Sequence, residues 1–237
     1  YFGEGYEPSE MKHCKVSDMM DGNLEGPTVI YIVNENTRES MIFGMQNDNF
    51  SSGMVKYVGH EIRAVIMNKL EMDVRDTVLL ANAESIAVEA SMVAYEGVVI
   101  AAERDAGSLR TMEENASKFG THNIEIIPEI TVEALEKLPT PRLAFIVAQK
   151  SNIENDIVTL LKVNPKIKFI IYTLELDILA DIKYLMKKHG VDVTEVMQIA
   201  VSKVDKNGVF VAQPAPWMIT CDVKGYFCIK FFHYFTF

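Results

Sequence analysis

The chemistry this chain can perform centres on one loop and one acid. Glu103 directly follows an apolar run, Val98 to Ala102, that reads as a buried strand. An acid in that place holds the hydroxyls of a nucleotide ribose in open α/β sheets. Upstream, Ala81 to Ser85 reads as a tight loop between a buried strand, Thr77 to Leu80, and a helix, Ile86 to Tyr95. Such a loop receives the rest of a nucleotide-like ligand on glycines that let the backbone bend and approach it. This loop contains no glycine. Glu84 within it places a negative charge at a helix N-terminus, which favours the helix dipole and repels an anionic ligand. His60 and His122 fall outside any metal-ligating spacing such as H-E-x-x-H, so no metal site is predicted.

Positioning these groups takes alternating strands and helices, and the chain supplies them from Gly59 onward. Ile62, Val65, Ile66 and Leu70 share one helical face. After the strand–helix–strand unit of Asp76 to Asp105 come a helix from Ala106 to Phe119, stopped by Gly120, and a strand from Ile124 to Ile127. A short helix spans Val132 to Leu138, a strand Leu143 to Ala148, a helix Ile153 to Val163 and a strand Phe169 to Tyr172. A helix from Glu175 to His189 ends at Gly190, and two strands, Asp192 to Val201 and Val209 to Ile219, flank the turn VDKNG. The predicted fold is α/β, a Rossmann-like seven-stranded sheet that ends in an antiparallel hairpin. A nicotinamide dehydrogenase would stay parallel there and would also need the missing glycines.

The 237 residues are 49% hydrophobic and 24% charged, the composition of a globular chain with a real core. No run of about 18 apolar residues predicts a membrane span. A net charge of -10 argues against a nucleic-acid partner. Cys14, Cys221 and Cys228 have neither metal nor disulfide spacing, and together with an N-terminus unlike a signal peptide they predict a cytoplasmic protein. Residues 1–50 hold a short helix at Val16 to Met20, a strand at Thr28 to Val33 and a polar connector, too little to bury a core alone. The predicted organisation is therefore 1–50, 51–222 and an aromatic tail, 223–237, which contains GYFCIKFFHYFTF.

The segments His60-Glu61-Ile62-Arg63-Ala64-Val65, Ala102-Glu103-Arg104-Asp105, His122-Asn123-Ile124-Glu125-Ile126, Thr173-Leu174-Glu175 and Val201-Ser202-Lys203, followed by Gly208 and Ala215-Pro216-Trp217, stand in a telling order. In that order and spacing the chain, from about Met54 to Thr220, resembles the decarboxylating precorrin-6 methyltransferases of cobalamin biosynthesis. Gly44-Met45-Gln46-Asn47-Asp48-Asn49-Phe50 is similar to the tail of the carbon-5 methyltransferase often fused in front of them, which marks residues 1–50 as a remnant of that domain. The resemblance implies a class I methyltransferase fold, the cofactor S-adenosylmethionine (SAM), a tetrapyrrole substrate methylated at carbon 15 with loss of an acetate carboxyl, and a homo-oligomer of tetrameric type. It also implies site residues. Leu80, Asn82 and Glu84 replace the three loop glycines, Glu103 faces the ribose, Glu129 stands where the third strand's acid belongs, and Val147 opens the second loop, itself stripped of glycine. Thr173 and Glu175 lie where substrate is presented, although the pair also reads as a helix start. Lys150 and Lys203 are candidates for the carboxylate arms of the tetrapyrrole. Because the substitutions strike the ligand loops and spare the strands, a second function stays open: a catalytically inactive relative that serves as a scaffold or protein-binding partner.

Overall fold

A computed structural model describes residues 2–4, 11–19, 28–33, 43–51 and 58–223. The connector and the N-terminal segment fall partly outside the described residues, and the aromatic tail from Gly225 to Phe237, with Cys228, lies outside them entirely. The chain divides into two compact units, Tyr1–Met41 and Ile42–Phe237. In the first unit, β1 (Phe2–Glu4), β2 (Met11–Lys12) and β3 (Thr28–Ile30) form an antiparallel sheet in the order β2-β1-β3, and Val16–Met19 forms a 3-10 turn.

The second unit is built on a seven-stranded sheet of β4 (Thr77–Ala81), β5 (Val98–Ala102), β6 (Ile124–Ile127), β7 (Leu143–Val147), β8 (Lys168–Thr173), β9 (Val191–Gln198) and β12 (Trp217–Val223). Their order across the sheet is β6-β5-β4-β7-β8-β12-β9. Five strands are parallel, and β12 runs antiparallel to both β8 and β9. The period of two along β4 explains the layering. Val78 and Leu80 face one apolar cluster, formed with α1 (His60–Leu70), α2 (Glu84–Val93) and α3 (Ala106–Phe119). Leu79 and Ala81 face the other, formed with α4 (Val132–Leu135), α5 (Ile153–Val163) and α6 (Leu176–Lys188). Strands covered on both faces must be apolar throughout, which is why VLLA, VIAA and LAFI run without a break.

The closing hairpin differs from the sequence expectation. β9 and β12 do pair, but VDKNG belongs to a separate small hairpin between them, β10 (Ser202–Val204) and β11 (Phe210–Ala212). Pro214 and Pro216 lie between β11 and β12, and a residue without an N–H cannot carry a ladder onward. Asp205 caps the small turn by accepting the N–H groups of Asn207 and Val209, each at 2.8 Å.

Within the second unit, residues 43–51 pack against α1 and α2. Glu89 of α2 accepts the N–H groups of Gly44 (2.8 Å) and Met45 (2.9 Å) and pairs with Arg63 Nε of α1 at 2.5 Å. Arg63 is fully buried; it also donates to Met45 O and Asn47 Oδ1 and lies 4.7 Å from the centre of the Phe50 ring. Gly44 must be glycine here. Its φ is +76°, and a Cβ would strike His60 O and Ala64 Cβ. Gly97, at the turn into β5, has no room for a side chain either, because a Cβ would meet Asp76 O.

Candidate active site

The chain reverses direction across the sheet beside β4: β5 and β6 lie on one side, β7 and β8 on the other. Loops diverge at such a switch point and leave a crevice at the carboxyl ends of the strands. A cavity of about 660 Å³ opens there, within the usual range of small-molecule sites. The ends of four strands contribute to its wall: Asn82 after β4, Glu103 to Asp105 after β5, Val147 and Gln149 at β7, Tyr172 and Leu174 at β8. Ile62 of α1 and Gln213 and Pro214 before β12 also line it.

Asn82 adopts a left-handed conformation, φ +54°. The bend that glycine would give is therefore present, made by one of the few other residues that tolerate it. Its N–H donates to Ala102 O at 3.0 Å and its Nδ2 to Val147 O at 3.2 Å, so the loop is tied to both neighbouring strands. Leu80, in contrast, is a strand residue with its side chain in the core, where no special backbone is needed. Asn82→Gly is expected to preserve the fold. Asn82→Val will cost about 1–2 kcal/mol, because a β-branched residue is forced into the left-handed region, and urea unfolding of the two variants measures the difference.

Glu103 is 3% exposed, and its Oε1 is buried with no hydrogen-bond partner. Burial is the main reason its carboxyl is pushed up to about 7; the charge of Glu84 adds to this and a bond from the Ala83 backbone opposes it. Glu84, the first residue of α2, is also buried and is pushed up to about 7, mainly by desolvation. It turns away from the cavity wall and accepts Asn115 Nδ2 of α3 at 2.5 Å. Asp105 caps α3 by accepting Ser108 N–H (2.8 Å), which holds its carboxyl below the usual range. Arg104 is the one cation on the cavity wall among the described residues, and it is paired with Asp156 at 2.6 Å.

The remaining sequence candidates lie apart from the cavity wall. Glu129 is exposed beyond β6. Thr173 is buried, and its Oγ1 accepts the N–H of Glu175, which caps α6: the helix-start arrangement. Lys150 pairs with Asp177 at 3.0 Å in a separate groove beside α6, and Lys203 of β10 pairs with Glu61 of α1. Sequence reasoning did not single out Tyr172, Gln149 or Gln213, which the structure brings into the cavity wall. Asn123 has a structural task, since its Nδ2 donates to the carbonyls of Ser91 (3.1 Å) and Ala94 (2.7 Å) and so closes the end of α2. No group of three or more metal-ligating side chains occurs among the described residues, and no described helix is long and apolar enough to cross a membrane.

Strand order and helices on both faces, with a cavity over the switch point, make this a class I methyltransferase-like fold. Residues 53–224 match the precorrin methyltransferase domain, and the chain belongs to that family. Among solved structures it is similar to a precorrin-6y C5,15-methyltransferase from Geobacter metallireducens, at 24% identity over 76% of this chain and 97% of that one, with a TM-score of 0.70. A precorrin 8w decarboxylase from Methanobacterium thermoautotrophicum matches at 19% identity over 77% and 100%, TM-score 0.64. The C-terminal domain of a precorrin-6Y C5,15-methyltransferase from Rhodobacter capsulatus matches at 14% over 77% and 99%, TM-score 0.60. At these identities the likeness is one of fold. None of the curated proteins compared matches the chain.

Proposed function

We propose that the cavity binds SAM and that the protein methylates carbon 15 of a precorrin-6 type tetrapyrrole, with loss of the acetate carboxyl. The observation that carries this reading is Glu103, whose free, buried carboxylate oxygen at the end of β5 is an acceptor without a donor. An orphaned acceptor costs about 1–3 kcal/mol, which a ligand hydroxyl would recover. The residues present fit the adenosyl end of the cofactor. Glu103 would accept its ribose hydroxyls, Asn82 supplies the loop bend, and Val147 forms the neighbouring wall. When bound, SAM supplies an electrophilic methyl group. The chain's own residues orient and enclose: Tyr172 and Leu174 provide apolar surface that excludes water, and Gln149 and Gln213 offer amides to polar ligand edges. Lys150 and Lys203 would have to exchange their present carboxylate partners to meet a tetrapyrrole arm.

The second reading, a methyltransferase-like scaffold without catalysis, is favoured by the Asn82 and Gln149 side chains. They stand in the cavity wall on the two loops where glycines would leave the backbone bare. Calorimetric titration of the purified protein with SAM and with S-adenosylhomocysteine separates the two. Micromolar binding is the expected result. No binding at millimolar ligand, with circular dichroism showing a folded protein, overturns the cofactor reading and leaves the scaffold.

A further inference from the structure

The charges around the cavity are one-sided. Glu103 and Asp105 line it, Glu84 lies behind the loop, and the wall's one described cation, Arg104, is neutralised by Asp156. Glu84 is the residue that makes this arrangement unusual. A glycine at that position would carry nothing, whereas here a carboxyl is buried against Asn115 and its charge bears directly on Glu103. The unpartnered Oε1 of Glu103 brings the negative potential to the cavity itself. Inside a protein such potentials are weakly screened and act over several ångströms.

Resting on the cofactor reading above, we infer that this site selects by charge: it holds the cationic sulfonium form of an adenosyl ligand more tightly than the neutral thioether left after methyl transfer, and Glu84 sets the preference. The two ligands differ by one methyl group and one positive charge. Their contact surfaces are nearly equal, so the electrostatic difference decides. The consequence is release of the spent ligand in exchange for a fresh one, governed by a residue that does not itself line the cavity.

The test is calorimetry at pH 8, above the value of about 7 to which both carboxyls are pushed, so that they are ionised. The native protein is titrated with SAM, with S-adenosylhomocysteine and with an analogue that carries an amine in place of the sulfonium. SAM and the amine analogue are expected to bind roughly tenfold tighter than the thioether. In Glu84→Gln, which keeps an acceptor for Asn115, this ratio is expected to fall towards one, chiefly through weaker SAM binding. Equal binding, or tighter thioether binding, by the native protein overturns the inference while leaving the cofactor reading intact. An unchanged ratio in Glu84→Gln overturns the role of that residue. No binding of any ligand overturns both. Should the variant fail to fold, the amine analogue against the thioether on the native protein still decides whether charge is selected.

Discussion

Arg63→Met is expected to destabilise the second unit by about 3–5 kcal/mol, enough to lower its melting temperature on the order of 10 °C. The guanidinium is fully buried and pairs at 2.5 Å with Glu89, which is 1% exposed. Methionine fills much of the same volume but leaves the Glu89 carboxylate buried without a cation, held only by the N–H groups of Gly44 and Met45. The same substitution removes the donors that fix Met45 O and Asn47, so residues 43–51 should become susceptible to protease before the rest of the unit. Replacing both partners, Arg63→Met with Glu89→Leu, should recover much of the loss, because no charge is then stranded. Thermal unfolding of the single and double variants measures both effects. A single variant as stable as the native chain would refute the clamp.

The second large effect concerns pH and runs against the common trend. Glu84 and Glu103 are both pushed from 4.5 to about 7, chiefly by burial. A carboxyl whose folded value is raised binds its proton more tightly in the folded state. Its contribution to stability is complete below the unfolded value, about 4.5, and is lost as pH rises through about 7. Each such group corresponds to about 3 kcal/mol, and the two share a site, so the total is of that order rather than twice it. Asp156 is shifted upward for the same reason, against the opposing Arg104 pair. The carboxyls held low, Glu61, Asp105, Glu154 and Asp205, act only at more acidic pH, below their ordinary 3.8 to 4.5. Urea unfolding should therefore show greater stability at pH 5.5 than at pH 8. Glu84→Gln should flatten that slope and stabilise the protein at pH 8. Stability that rises between pH 5.5 and 8 would contradict the assignment.

Legibility in the sequence followed the range of the interactions. Strands, helices and sheet class were readable because burial on two faces writes continuous apolar runs, and amphipathic helices write their own period. Glu103 was readable for the same reason, as the first polar residue after such a run. The loop was harder. The loss of glycine looked like obstruction at Leu80, Asn82 and Glu84 alike, yet only Asn82 takes a positive φ, and asparagine accepts it. Glu84 read as a helix-start charge favourable to the dipole, whereas the structure buries it against Asn115, 31 residues away. Arg63 and Glu89 are likewise separated by 26 residues, so their pairing has no local signature. The β10–β11 hairpin was hidden by reading through Pro214 and Pro216, which the ladder cannot cross.

The placement of β12 has a consequence for synthesis on the ribosome. This strand is the last described element in the chain, yet it sits inside the sheet between β8 and β9, with Met218, Ile219 and Cys221 almost wholly buried. While the nascent chain is shorter than Trp217, β8 has no partner on one side and β9 has none at all within the sheet. Strand edges left open in this way are templates for other chains. Translation that stops before Trp217 is thus expected to yield a sticky intermediate rather than a smaller stable domain, with the β8 edge open until β12 has emerged.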